Sequence, residues 1–365
     1  MINSLTILLC PFIIKNVQIT WRRSEVAVTR LTRNQVVLRG TRVQIPPSPL
    51  TIQINISLYK KVLYGSFYSQ CFFLYNGGKS MQKQDFKKLF EHGPVILDGA
   101  TGSNLMKAGM PKGVCTEKWV LEHPDTIIQL QRAYAEAGSQ IIYAPTFAAN
   151  RISLANHGLS DQVEHYNHAL VALSKEAVQG KALIAGDITT TSKMAAEYDE
   201  LLSAYEEQIT ALVDAGADLL IAETMIGADE TMAVIDAAHS VCDLPILCSL
   251  TIQADGSLFF GGNIFETAPM LEEMGADAVG INCSTGPDQL ENIIQNLAGS
   301  LSVPVIAKPN AGMPTINDQG FAVYDMTPEY FGKSMKRLVD LGASMVGGCC
   351  GTDPSYIKAL VNAIR

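Results

Sequence analysis

Three cysteines stand where their thiols could meet. Cys283 closes the apolar run Gly280-Ile281-Asn282, and Cys349 and Cys350 close the run Met345-Val346-Gly347-Gly348. Thiolates are soft ligands that select zinc over magnesium or manganese. Three protein ligands with a fourth position left open is the pattern of catalytic zinc, because structural zinc fills all four positions from the protein. The glycines beside the pair, Gly347, Gly348 and Gly351, let the backbone bend so that adjacent cysteines can face one ion. Other readings stay open at this level. Free cysteine is often a small buried residue, which suits Cys242 and Cys248, and Cys115 reads as a loop thiol. A vicinal Cys349–Cys350 disulfide is a further alternative.

The elements that must carry these residues follow a two-beat repeat. Four segments share one pattern of Gly, a small residue, a polar residue and an apolar run. They begin at Gly138, Gly216, Gly275 and Gly342. Each follows a helical pattern such as Thr126–Ala137 or Thr327–Leu341, and the glycine falls where a helix C-cap is expected. Thr327-Pro328 is a helix start, with an N-cap followed by Pro at the first helical position. Four further apolar runs lie between them: Val95–Asp98, Ala182–Asp187, Pro245–Leu250 and Pro304–Lys308. Continuous apolar runs of this length read as buried parallel strands. Eight strands alternating with eight helices predict a single (β/α)8 barrel over residues 81–365. A doubly wound open sheet is the alternative, and it needs fewer strands or an edge break.

A barrel places chemistry at the C-terminal ends of its strands. Those ends are Asp98, Thr146, Asp187, Glu223, Thr251, Cys283, Asn310 and Cys349-Cys350. Taken alone, Asp98 could cap the first helix, and Glu223 could be a carboxylate satisfied within the barrel mouth. The six histidines fall in helical or loop positions and receive no role.

Charge divides the chain. Residues 1–80 hold ten Lys/Arg and one acid, Glu25, a net +9. The remainder holds 17 basic and 35 acidic residues, a net -18, and the two sum to the overall -9. The change of sign sets a boundary near Met81. Residues 1–80 are expected to lie outside the fold, as a disordered basic extension or as a spurious gene start. The run Arg33–Pro49 resembles a transfer-RNA gene read as protein. The acidic part has no basic stripe for nucleic acid. No apolar run reaches the ~18 residues of a membrane span, and Leu5–Ile14 lacks a charged flank and a cleavage site. A cytoplasmic location is expected. Eight cysteines in a chain this long point to metal or catalysis rather than a disulfide framework.

Together, Gly347-Gly348-Cys349-Cys350-Gly351-Thr352, Asn282-Cys283-Ser284 and Asp98-Gly99-Ala100-Thr101-Gly102 resemble the homocysteine S-methyltransferase family across residues 81–365. Within it, Pro145-Thr146-Phe147, Glu223-Thr224, Asn282–Pro287 and Lys308-Pro309-Asn310-Ala311-Gly312 are similar to the homocysteine-binding module of cobalamin-dependent methionine synthase. The betaine-using branch tends to carry Tyr after the strand-four Glu, where this chain has Thr224.

The resemblance implies that Cys283, Cys349 and Cys350 bind zinc, with Asn310 able to take the fourth position before substrate arrives. It implies that Asp98 and Glu223 hold the amino group of homocysteine. Backbone amides at Gly99, Ala100 and Thr101 would take its carboxylate. The substrate thiolate is then the nucleophile, so no protein nucleophile or general base is expected. The sequence contains no Asp-x-His-x-x-Gly corrinoid motif. The methyl donor is therefore expected to be a methylcorrinoid (methylcobalamin) on a separate corrinoid-binding protein, with a folate methyltransferase as a further partner. Two alternatives are a sulfonium donor, S-methylmethionine or S-adenosylmethionine, and a zinc-binding module without catalysis.

Overall fold

A computed structural model describes residues 81–365 except 192, 194, 195 and 318–321, and in residues 1–80 only the backbone of four short strands. The chain divides into two compact units, Met1–Lys79 and Ser80–Arg365. In the first, Gln18–Thr20 pairs antiparallel with Arg42–Gln44, and Val28–Thr32 pairs antiparallel with Gln35–Leu38. The expectation that this segment is disordered or spurious falls otherwise outside the described residues.

The second unit is a parallel eight-stranded barrel. Its strands are β1 (Val95–Ile96), β2 (Ile141–Tyr143), β3 (Leu183–Ile188), β4 (Leu219–Met225), β5 (Ile246–Leu250), β6 (Ala278–Asn282), β7 (Val305–Lys308) and β8 (Ala343–Val346). They lie in chain order from β2 to β8, and β8 pairs with β1. Between β1 and β2 the closure is irregular. The Gln140 amide donates to the Ile96 carbonyl at 2.7 Å, and the Ile96 amide donates to the Gln140 side chain at 2.9 Å. The Tyr143 amide donates to Asp98 Oδ2 at 2.9 Å. Asp98 therefore ties the first two strands together rather than capping a helix.

Eight long helices alternate with the strands: α1 (Pro124–Ala137), α2 (Val163–Val178), α3 (Tyr198–Asp214), α4 (Ala228–Val241), α5 (Ile264–Glu273), α6 (Glu291–Ser300), α7 (Pro328–Asp340) and α8 (Pro354–Ile364). The expected helix stops and starts are present. Gly138 ends α1 in the left-handed region at φ 118°, which costs a glycine little. Thr327 caps α7 by accepting from the Tyr330 amide.

Two apolar layers result. The larger packs the outer faces of the strands against the helices. The smaller fills the barrel with Val95, Leu97, Ile141, Tyr143, Ala185, Leu219, Ile221, Leu247, Ala278, Ile306 and Met345, and Phe86 packs into it from the helix Lys83–Lys88. Side chains alternate faces along a strand. The inward series Ala185, Leu219 with Ile221, and Ile306 therefore continues, two residues on, to Asp187, Glu223 and Lys308. Inside the barrel, apolar layers give way to a charged one at the C-terminal mouth.

Candidate metal centre and its carboxylate layer

β6 and β8 are not neighbours, and the end of β7 joins them. The Cys283 amide donates to the Lys308 carbonyl at 3.2 Å, and the Cys349 amide to the Pro309 carbonyl at 2.7 Å. The Ala311 amide returns to the Cys350 carbonyl at 3.0 Å. The sulfurs of Cys283, Cys349 and Cys350 lie within 4.8 Å of one another, and Cys283 Sγ sits 3.8 Å from Cys350 Sγ. Zn–S bonds of ~2.3 Å in tetrahedral geometry put sulfurs roughly 3.8 Å apart, so this spacing fits one zinc ion. It is the one such group of three among the described residues. Cys115, Cys242 and Cys248 lie outside it. The Cys115 thiol donates to Glu117 at 3.4 Å, and Cys248 is buried within β5.

Backbone strain accompanies the cluster. Cys283 has φ 65°, unusual for a residue with a side chain. Gly351 has φ 86°, and a Cβ there would lie 2.4 Å from the Tyr324 ring. The glycine lets Tyr324 close over the pair, where its hydroxyl bonds the Cys350 sulfur. The other two thiols donate to Cys350 and push its pKa down to about 3, while the same contacts and burial push Cys283 up.

Asn310 is 4% exposed, and its Oδ1 has no hydrogen-bond partner among the described residues. A buried carbonyl oxygen without a partner is costly. It stands on the β7 loop that bridges the cysteines, and an oxygen donor is what an open zinc position accepts. The three sulfurs fit the expected metal, and Asn310 stands on the loop that bridges them.

Below lies the charged layer. Lys308 is 3% exposed, and its Nζ lies 3.2 Å from Asp98 Oδ1, 3.1 Å from Glu223 Oε1 and 4.6 Å from the centre of the Tyr143 ring. Burial disfavours its charge, but Glu223 and Asp98 outweigh that and hold its pKa well above the usual value. Burial raises Asp98 to about 6 against the pull of Lys308, and raises Glu223 in the same way. Burial lifts Asp187 well above the carboxylate range, and Glu223 adds to the effect. Asn282 braces this side. Its Oδ1 accepts from the Thr224 amide and from the Ser249 hydroxyl, both at 3.0 Å, and its Nδ2 donates to Thr224 Oγ1 at 2.6 Å. That clamp holds Thr224 at φ 57° and fixes Glu223 beside it.

The expected carboxylate subsite needs one correction. The Ala100 amide already donates to Thr352 Oγ1 at 3.1 Å, so it is not available to a ligand. Thr352 in turn donates to the Cys349 carbonyl at 2.8 Å, linking the first loop to the cysteine loop. Gly99 packs under Tyr134, whose hydroxyl would lie 2.6 Å from a Cβ there. Lys308 was absent from the expected site, although it belongs to one of the motifs. The inward period of β7 is the signal that places it. A surface cleft lined by Arg151, Lys193 and Glu200 lies apart from these residues. Its two cations are already paired, Arg151 with Glu207 and Lys193 with Glu200.

Three thiols and a layer of buried carboxylates thus stand together at the mouth of a parallel barrel. Residues 95–364 match the family model for homocysteine S-methyltransferase, and the chain belongs to that family. It is similar to methionine synthase of Mycobacterium tuberculosis, 25% identical over 308 residues, covering 78% of this chain and 26% of that protein. Methionine synthase of Mycobacterium leprae is 26% identical over 292 residues, covering 74% and 24%. The chain thus spans about a quarter of the length of these relatives. The fold is shared with the homocysteine methyltransferase MmuM of Escherichia coli in its oxidised form, at TM-score 0.65, 22% identity, and coverage of 76% of this chain and 98% of that one. No helix among the described residues is long and apolar enough to cross a membrane.

Proposed function

We propose that the barrel transfers a methyl group to the thiol of homocysteine, giving methionine, with zinc held by Cys283, Cys349 and Cys350. The convergence of three sulfurs within 4.8 Å above a buried carboxylate layer carries this reading. A free thiol has a pKa near ~8.5, and zinc stabilises its thiolate at neutral pH. Asn310 would hold the fourth position of the metal before substrate arrives. Glu223 and Asp98 receive the ammonium group, and the amides of Gly99 and Thr101 face the carboxylate. The chain's own part is to orient the sulfur for in-line attack and to shield it from water. No side chain removes a proton in the transfer step. The donor is a methylcorrinoid presented by a separate protein, and residues 81–365 are the domain that does this work.

The test is an assay of the full chain, loaded with zinc, on L-homocysteine with methylcobalamin, S-methylmethionine and betaine in parallel. Methionine formed from methylcobalamin supports the reading. Methionine formed only from a sulfonium donor overturns the choice of donor. No methionine from any of them overturns the function.

A further inference from the structure

Asp98 and Glu223 are two of three carboxylates in the mouth, and the third has no assigned task. Asp187 ends the inward series of β3, two residues beyond Ala185, which faces the barrel interior. It is 5% exposed, and its Oδ1 has no hydrogen-bond partner among the described residues. Its backbone is fixed from both sides by Thr146. The Thr146 hydroxyl donates to the Asp187 carbonyl at 2.9 Å and accepts from the Asp187 amide at 3.1 Å. Gln208 anchors Thr146 in turn by donating to its carbonyl at 2.9 Å. The backbone that carries the side chain is therefore fixed next to β4, where Asp187 pairs with Ile221 and Glu223 lies two residues further on.

The charge count of the layer is unbalanced. Asp98, Asp187 and Glu223 are three acids against one base, Lys308. Lys308 is within 3.2 Å of Asp98 and 3.1 Å of Glu223, with its remaining side toward the Tyr143 ring. No ion pair joins it to Asp187 among the described residues. With every carboxylate ionised the layer would hold three negative charges against the single positive charge of Lys308. Isolated buried charge is strongly unfavourable, so a carboxylate without a partner either takes up a proton or awaits a cation. A primary ammonium brings three N–H donors, one more than two carboxylates accept singly.

From this geometry we infer that Asp187 is the third acceptor for the substrate's ammonium group and selects amino-acid thiols over thiols that lack it. The inference rests on the homocysteine reading above and extends it to a residue outside the expected site. The backbone clamp by Thr146 fixes the point on β3 from which the carboxylate extends, beside β4 and Glu223.

The experiment measures binding by calorimetry to the zinc-loaded full chain. Its two probes are L-homocysteine and 4-mercaptobutanoic acid, which has the same thiol and carboxylate without the amino group. Asp187→Asn keeps the shape and removes the charge. It should weaken homocysteine at least about tenfold, ~1.4 kcal/mol, and change 4-mercaptobutanoate less than twofold, with zinc content unchanged. Asp187→Ala, which leaves no buried amide, should show the same contrast if Asn disturbs folding. Equal losses for both thiols, or no loss for homocysteine in a folded, zinc-loaded variant, overturn the assignment while leaving the methyltransferase reading in place. Failure of the unsubstituted chain to bind homocysteine overturns both.

Discussion

Lys308→Met tests the electrostatics of the mouth without touching a sulfur. Methionine fills nearly the same space and removes the one cation that Asp98 and Glu223 face at 3.2 and 3.1 Å. Removing one partner of a buried pair costs about 3–5 kcal/mol, because the charge left behind is uncompensated. The unit Ser80–Arg365 has an unfolding entropy of roughly 0.6 kcal/mol per kelvin at ~2.1 cal/mol/K per residue. The melting temperature should therefore fall by roughly 5–8 °C at pH 7.5. The loss must depend on pH in a definite direction. Asp98 already has a folded pKa of about 6, above its ordinary 3.8, and without Lys308 it rises further. A carboxylate raised on folding binds more protons in the folded state. Its favourable contribution is complete below pH ~4 and is lost as pH climbs through the folded value. The gap between variant and parent should thus be small near pH 5 and widen toward pH 7.5, by at most ~1.4 kcal/mol per pH unit for each proton. Differential scanning calorimetry at both pH values, with zinc content measured alongside, reads this directly. A variant as stable as its parent at pH 7.5, or one more damaged at pH 5 than at 7.5, would refute the reasoning.

Three other outcomes follow from the same geometry. Glu223→Gln should raise the homocysteine KM roughly ten- to a hundredfold, from ~1.5–3 kcal/mol for a hydrogen bond to a charged group. It should leave zinc content and the reaction of mercaptoethanol nearly unchanged; zinc loss, or equal slowing of both thiols, would move Glu223 to the metal or the fold. Cys349→Ala should abolish zinc retention and activity while circular dichroism and melting still report a folded barrel, because the core does not depend on the metal. A chain that begins at Met81 should retain full activity and solubility, and its inactivity beside an active full chain would give residues 1–80 a role.

The fold was legible because barrel strands that are buried on both faces leave an unmistakable apolar run, and each helix before an even-numbered strand stops on a glycine that adopts a positive φ. The cysteines were legible because three thiols at strand ends have few other uses. Lys308 was harder to read. A lysine at the end of an apolar strand looks like a solvated terminus, and only pairing with residues 210 and 85 positions away makes it an interior cation. Asp98 had the local look of a helix cap, yet it bonds the Tyr143 amide across the seam between β1 and β2. The Ala100 amide bonds the hydroxyl of Thr352, 252 positions along the chain. Each of these depends on closure of the barrel, which local sequence does not display.

The most direct test of the central claim is zinc X-ray absorption on the loaded full chain, with and without L-homocysteine. The account predicts three sulfur neighbours at ~2.3 Å with one lighter neighbour in the resting protein, and four sulfurs once homocysteine is added. Fewer than three sulfurs at rest, or a spectrum that homocysteine leaves unchanged, would contradict it.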